Sequence, residues 1–209
     1  MSRAWQIALE AEANGQLHKE PEHDFYAILA NPQVLYDQRW EQQEQWVIRV
    51  DKAPDGSRGL VRVRKTVQGF DGVPVYESAI KNKTDSDEVE TTITEDMFKA
   101  FRRLSSDGQI KDRYFFPVPG SDRVFEVDCF LTPEAQIARH QGYNVKGQRY
   151  HEWVKIDFEV HNKRDPIPEF PFEVSQVIMK PYGSRTPEDE KIVNNLYKKV
   201  WVAVHPNAK

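Results

Sequence analysis

Cysteine is almost missing from this sequence: Cys129 is the one thiol in 209 residues. A lone thiol rules out an internal disulfide framework. The length is enough to bury a core without such staples, so one domain in a reducing cytoplasm is the expectation. Cys129 stands between Asp128 and Phe130 in an alternating run, which predicts burial, and no histidine beside it would make it a nucleophile. No stretch approaches the ~20 apolar residues of a membrane span, and the opening residues MSRAWQIALEAEANG lack the apolar core of a signal peptide. A soluble chain with no membrane partner is expected. Excess positive charge is missing too. A net charge of −4 with 30% charged residues is not that of a bulk nucleic-acid binder, so no DNA duplex is expected and any phosphate-binding patch must be local. The loop GxxxxGK[ST] is absent, so phosphates would have to be held by side chains. Zinc has no support either: the histidines are scattered, with none in HExxH spacing.

What is present is a repeated two-residue alternation. Lys111 to Phe130, KDRYFFPVPGSDRVFEVDCF, reads as two strands joined by the turn Pro119-Gly120-Ser121-Asp122. Side chains two apart share a face of a strand, so Lys111 and Arg113 project together, as do Glu126 and Asp128, while Phe125, Val127 and Cys129 fill the other face. The expected sheet has an apolar outer face under helices and a charged inner face lining a polar cavity.

Along the chain, residues 1 to 45 are the least regular. Ala4 to Ala13 reads as helix by propensity, or as a strand with Glu10 and Glu12 on one side. Asp24 to Ala30 reads as a short helix stopped by Asn31-Pro32, with a second helical piece from Val34 towards Gln45. From Trp46 the pattern is one of strands. Trp46 to Lys52, the turn Ala53-Pro54-Asp55-Gly56 and Gly59 to Thr66 form a hairpin with Arg62 and Arg64 on one face. Val75 to Lys83 puts Lys81 and Lys83 together, and EVETTIT pairs Glu88 with Glu90. Thr94 caps an amphipathic helix to Leu104 with Met97, Phe101 and Leu104 as its apolar stripe. Thr132 to Gln148 reads as an insertion, helical over Pro133 to His140 and a loop over Gly142 to Gly147. His151 to His161 is the longest strand expected, carrying Lys155, Asp157 and Glu159 on one face. A proline-rich loop, Asp165 to Pro171, leads to the apolar run Val174 to Met179. A last helix opens at Thr186-Pro187-Glu188-Asp189, with Ile192, Leu196 and Val200 as its buried stripe.

The basic set on shared faces is Arg62, Arg64, Lys81, Lys83, Lys111, Arg113 and Lys155. The acidic set is Glu88, Glu90, Glu126, Asp128, Asp157 and Glu159. Each pair alone is explained by a wet sheet face with cross-strand salt bridges worth a few tenths of a kcal/mol. Together they are concentrated and sorted by sign. Inside a closed barrel they would need a ligand and counter-ion, because unpaired buried charge costs several kcal/mol. A polyphosphate with a divalent cation matches in kind: Arg and Lys donate to phosphate oxygens, and clustered carboxylates bind hard ions such as Mg²⁺ or Mn²⁺.

These segments resemble the CYTH superfamily, the triphosphate tunnel metalloenzymes. The matching runs are LVRVRK at 60 to 65, YESAIK at 76 to 81, EVETTIT at 88 to 94, KDRYFF at 111 to 116, FEVDCF at 125 to 130, VKIDFEV at 154 to 160 and PFEVSQV at 171 to 177. The resemblance covers roughly residues 46 to 200 and implies an α+β fold, a closed antiparallel β-barrel forming a tunnel with helices packed outside. By it, Arg62, Arg64, Lys81, Lys111 and Arg113 would bind the triphosphate, while Glu126, Asp128, Asp157 and Glu159 would belong to the metal group, with Glu88 and Glu90 at acidic positions of the following strand. Two positions depart from the family. The opening strand signature, ExExK, has its nearest counterpart in Glu10-Ala11-Glu12-Ala13-Asn14, and Ser86 stands near the place of an arginine ahead of the fourth strand's acidic pair.

Three readings follow. The first is a cytoplasmic metal-dependent hydrolase of a nucleoside, inorganic or RNA 5′-triphosphate. In it Glu126, Asp128, Asp157 and Glu159 are catalytic, Lys83 and Lys155 join the phosphate-binding set, and Mg²⁺ or Mn²⁺ is the cofactor. The second is a tunnel protein without metal chemistry that binds a nucleotide, an RNA 5′ end or a protein partner. The third is an ordinary α+β domain whose charged face meets water.

Overall fold

The computed structural model describes residues 22–50, 59–82, 88–105, 107–140, 150–160, 166–179, 186–200 and 202–203. Within these residues ten strands form one antiparallel sheet, β1 (Glu22–Leu29), β2 (Arg39–Val50), β3 (Gly59–Gln68), β4 (Val75–Asn82), β5 (Glu88–Thr92), β6 (Asp107–Pro117), β7 (Val124–Leu131), β8 (Tyr150–Glu159), β9 (Val174–Met179) and β10 (Val202–Ala203). Their order is β5-β4-β3-β2-β6-β7-β8-β1-β9, with β10 beside the start of β6. The helices are α1 (Glu95–Leu104), α2 (Pro133–His140) and α3 (Pro187–Val200), and a 3-10 turn spans Pro32–Leu35.

The α+β class holds, but the expected barrel closure does not. Among the described residues β5 and β9 are free edges with no pairing between them. β5 has five residues, and β9 follows β1 with two register shifts, so neither offers a long straight edge for the other.

The N-terminal helices are also corrected. Asp24 to Leu29, all but the last residue of the helix expected at Asp24 to Ala30, lies in β1, paired with β8 on one side and β9 on the other. Beyond the 3-10 turn, Arg39 to Val50 is the longest strand, β2, which at twelve residues exceeds β8 with ten. Its run Glu41-Gln42-Gln43-Glu44-Gln45 favours helix by propensity, but β3 and β6 form full ladders on both of its edges. Glu10 and Glu12, Lys83, Ser86, the turn 53–56 and the loop 142–147 lie outside the described residues.

Register divides the sheet into two faces. On the apolar face Phe25, Phe116, Phe125, Val127, Ile156, Phe158 and Phe172 form the main core. α1 covers the same face over β2, β3 and β4, where Trp46, Val63 and Phe98 pack together. Thr94 caps α1 as expected, accepting from the Met97 N–H. The stripe itself is rotated: Phe98 is buried and Phe101 half-buried, whereas Met97 and Leu104 are exposed. Aromatic contact decides this, since Phe98 meets Tyr76 and Arg102 lies over the Trp46 ring. Trp46 in turn lies across Gly108, where any Cβ would fall 1.8 Å from its ring carbons. The β6–β7 turn falls where expected, with Gly120 at φ 74°.

α3 packs on the charged face. Its Val193 and Val200 are buried, with Leu196 and Tyr197 half-buried beside them, against Tyr26, Phe130 and Trp153, while Ile192 is exposed. Register aligns Tyr26 with Lys155 and Phe130 with Lys111, so the helix covers one end of that face. The expectation of helices only outside the apolar face is corrected at this point. Thr186 and Asp189 bond reciprocally at its N-terminus, where the sequence predicts the helix to open.

Candidate functional site

The charged face follows from alternation and pairing. Cross-strand register aligns Arg113 with Asp128, Glu126 with Asp157 and Asp128 with Lys155 on β6, β7 and β8. It aligns Arg64 with Glu77 and Gln45, and Arg62 with Val47. Gln45 and Gln43 of β2 stand opposite Gln109 and Lys111 of β6. By this parity Arg62, Arg64, Lys111, Arg113, Glu126, Asp128, Lys155, Asp157, Glu159 and Glu90 all belong to one face. Lys81 and Glu88 pair with each other in backbone register, and their side chains lie outside the described set.

Two networks of ion pairs stand on this face, which also carries a further pair, Arg49 with Asp107 at 3.3 Å. At its centre Asp128, wholly buried, accepts from Lys111 Nζ and from Arg113 Nε at 2.7 Å and Nη2 at 3.0 Å. Arg113 also bonds Glu126 and meets Asp157 at 3.5 Å, and Lys155 pairs with Asp157 at 2.5 Å. Burial alone would raise the Asp128 carboxyl, but Arg113 and Lys111 beside it hold it well below the usual carboxylate range. Burial and the Arg113 charge pull the Lys111 ammonium down to about 8, and burial pushes the Glu126 carboxyl up. The second group lies on β3 to β5: Arg64 binds Glu77 at 2.8 Å and reaches Glu90 at 3.9 Å, and Arg62 pairs with Glu90.

The partners differ in exposure. The Arg62, Arg64 and Arg113 side chains are 17%, 17% and 13% exposed, whereas Glu90, Glu77 and Glu126 are 47%, 32% and 25% exposed. The cations are rooted in the face and these three carboxylates are more exposed than they are, while Arg113 is also held by the buried Asp128 and Asp157. Between the two groups the face is polar, with Glu41 accepting from Gln43 Nε2. Gln43 Oε1, Gln109 Oε1 and Thr66 Oγ1 are buried there without a hydrogen-bond partner. A hollow of about 510 Å³ opens beside Arg64, Glu41 and Glu77.

β1 supplies residues that the sequence reading places elsewhere. Asp24 aligns with Asp157, and Glu22 with Glu159. An acidic pair two residues apart, followed by Tyr26, therefore opens the sheet at Glu22-His23-Asp24-Phe25-Tyr26. Tyr26 donates to the Tyr197 hydroxyl of α3 at 2.9 Å. The signal was the alternation of Glu22, Asp24 and Tyr26 with His23, Phe25 and Ala27.

A hard divalent cation needs several oxygens converging on one point. The carboxylates of this face have that chemistry, but both oxygens of Asp128 are committed to Lys111 and Arg113, and Glu126 and Asp157 are paired with cations too. Among the described residues no three Asp, Glu, His or Cys side chains form a group able to hold a metal ion. In this arrangement the residues do not fit Mg²⁺ or Mn²⁺. Cys129 is buried as expected, and burial raises its thiol far above the ordinary value. No helix among the described residues is long and apolar enough to cross a membrane.

No protein-family model matches the chain, and no curated protein does. Solved structures similar to it include the hypothetical protein NE1496, 15% identical over 82% of this chain and 95% of that one, with a TM-score of 0.43. Another is the PH1819 protein from Pyrococcus horikoshii OT3, 16% identical over 85% of this chain and 87% of that one, with a TM-score of 0.39. At these scores the likeness says nothing about ligand or chemistry.

Proposed function

We propose that the charged face binds a triphosphate-containing ligand, a nucleotide or an RNA 5′ end. The carrying observation is the exposure asymmetry of the ion pairs. Arg62, Arg64 and Arg113 are held in the face, while Glu90, Glu77 and Glu126 can swing into water and yield donors of Arg62 and Arg64, and Nη1 of Arg113, to phosphate oxygens; Arg113 Nε and Nη2 stay on Asp128. Arg64 and Lys111 stand on β3 and β6, two strands apart, or roughly 10 Å at ordinary strand spacing. That separation suits a chain of phosphates better than a single one. The acceptors of Gln43 and Gln109 favour a ligand that also brings hydroxyl or amino donors, as a nucleoside does and inorganic triphosphate does not.

A second reading, hydrolysis with a divalent cation, is favoured by β1, whose Asp24 stands beside Asp157 as the family's acidic opening strand would. In the arrangement seen the carboxylates do not fit such an ion, so this reading would need Glu126, Asp128 and Asp157 released from Arg113, Lys111 and Lys155 before they could hold one.

One experiment addresses both: calorimetric titration with inorganic triphosphate, a nucleoside triphosphate and a 5′-triphosphorylated RNA, with and without Mg²⁺ or Mn²⁺, followed by phosphate assay of the same samples. The nucleoside and RNA ligands are expected to bind more tightly than inorganic triphosphate. No binding of any of them overturns the proposal; metal-dependent phosphate release selects the hydrolytic reading.

A further inference from the structure

On the opposite face of the sheet a cavity of about 750 Å³ opens between β1, β2, β6, β7 and β8. That is the size of a small-molecule site. Its walls are aromatic. Trp40 lies nearly parallel to Tyr114, with ring centroids 6.0 Å apart, and Phe70 meets Trp40 edge-on at 4.9 Å. Phe70 is 51% exposed at the rim, an apolar ring in water that a bound ligand would help to cover.

Besides Tyr36, His151 and the exposed Glu152, the polar part of the lining is a chain of hydrogen bonds through Asp112, Tyr114 and Tyr150. Asp112, on the face that carries the main core, is 1% exposed and is gripped by Arg139 of α2 through Nη1 at 2.5 Å and Nη2 at 3.0 Å. Tyr150 donates to the second Asp112 oxygen at 2.6 Å, and the Tyr114 and Tyr150 hydroxyls are 2.9 Å apart. Tyr150 has spent its proton on the carboxylate, so Tyr114 must donate to Tyr150. Burial raises both phenols, and they stay protonated at neutral pH. The Tyr114 oxygen is therefore left with lone pairs and no proton to give. A phosphate or carboxylate would meet acceptors and a carboxylate already neutralised by Arg139; a ring N–H or O–H would find a partner.

We propose that this cavity binds a neutral planar aromatic molecule that stacks within the Trp40, Phe70 and Tyr114 walls and donates one hydrogen bond to the Tyr114 hydroxyl. The site is separate from the charged face, because Asp112 and Tyr114 alternate with Lys111 and Arg113 along β6.

The test uses indole and 1-methylindole, which share a shape but differ in the donor, with dissociation constants from ligand-observed NMR on the full chain. Indole should bind about 5-fold more tightly than 1-methylindole, the size of one modest net hydrogen bond. Tyr114→Phe, which keeps the ring, should abolish that difference, while Trp40→Leu should weaken both probes. Urea midpoints of both variants establish that they are folded. Excess inorganic triphosphate should displace neither probe. Failure of both probes to bind at millimolar concentration, equal binding of the two to the wild type, or displacement by triphosphate overturns the proposal.

Discussion

Replacing Asp128 by Asn probes the ionic centre of the charged face without changing its shape. Asp128 is fully buried and takes hydrogen bonds from Lys111 and, twice, from Arg113. Asn keeps the volume and one acceptor but removes the charge. Arg113 retains Glu126 and Asp157, while Lys111, itself buried, loses its ion-pair partner. Removing one partner of a buried pair costs about 3–5 kcal/mol, and the anions left to Arg113 put the expected loss near the lower end, ~3 kcal/mol or roughly 100-fold in the folding constant. Lys111→Met behaves differently. Asp128 keeps its Arg113 bonds, and an apolar side chain replaces an ammonium that burial already disfavours, so stability should stay within about 1 kcal/mol of wild type. Urea denaturation at pH 7 reads both. With a slope of ~2 kcal/mol per molar, Asp128→Asn should lower the midpoint by roughly 1.5 M and Lys111→Met by less than about 0.5 M. Equal losses, or a larger loss in Lys111→Met, would refute the assignment of Asp128 as the hub.

Two further outcomes are expected. Gly108→Ala drives a methyl into the Trp46 ring and should cost about 2–3 kcal/mol in the same urea assay, because Trp46 is held by Arg102 above it and by its own N–H bond to Glu44. The second concerns pH. The Lys111 ammonium sits at about 8 in the folded chain against about 10.4 unfolded, so the unfolded state binds more protons between those values. The stability of wild type relative to Lys111→Met should therefore rise from about pH 8 to pH 10, while triphosphate binding weakens over the same range; a flat difference would place the Lys111 titration elsewhere.

The charged face was legible from Gly59 onward because Arg62/Arg64, Lys111/Arg113, Glu126/Asp128 and Lys155/Asp157 are each charged pairs two residues apart, most of them separated by apolar residues (Asp112 between Lys111 and Arg113 is the exception), and a period of two survives any curvature of the sheet. The strands before it were not. Asp24 to Leu29 and Glu41 to Gln45 contain good helix formers, and only ladders from neighbours distant in sequence make them strands. Barrel closure was equally hidden, since it depends on whether β5 and β9 meet, and local alternation carries no information about that. Asp112 looked like an ordinary strand position; its burial depends on Arg139 and Tyr150, which lie 27 and 38 residues away.

The central claim, that the rooted arginines of the charged face hold a triphosphate, is tested most directly by comparing ligand-induced melting shifts of wild type and Arg64→Ala. Each protein is its own reference, so a change in intrinsic stability drops out. Arg64 offers donors from both Nε and Nη2, now held by Glu77, and loss of a charge-assisted contact of about 1.5–3 kcal/mol predicts a 10- to 100-fold weaker affinity. A nucleoside triphosphate should raise the melting temperature of the wild type and raise that of Arg64→Ala much less. An equal shift in the two proteins, or none in the wild type, would contradict the account.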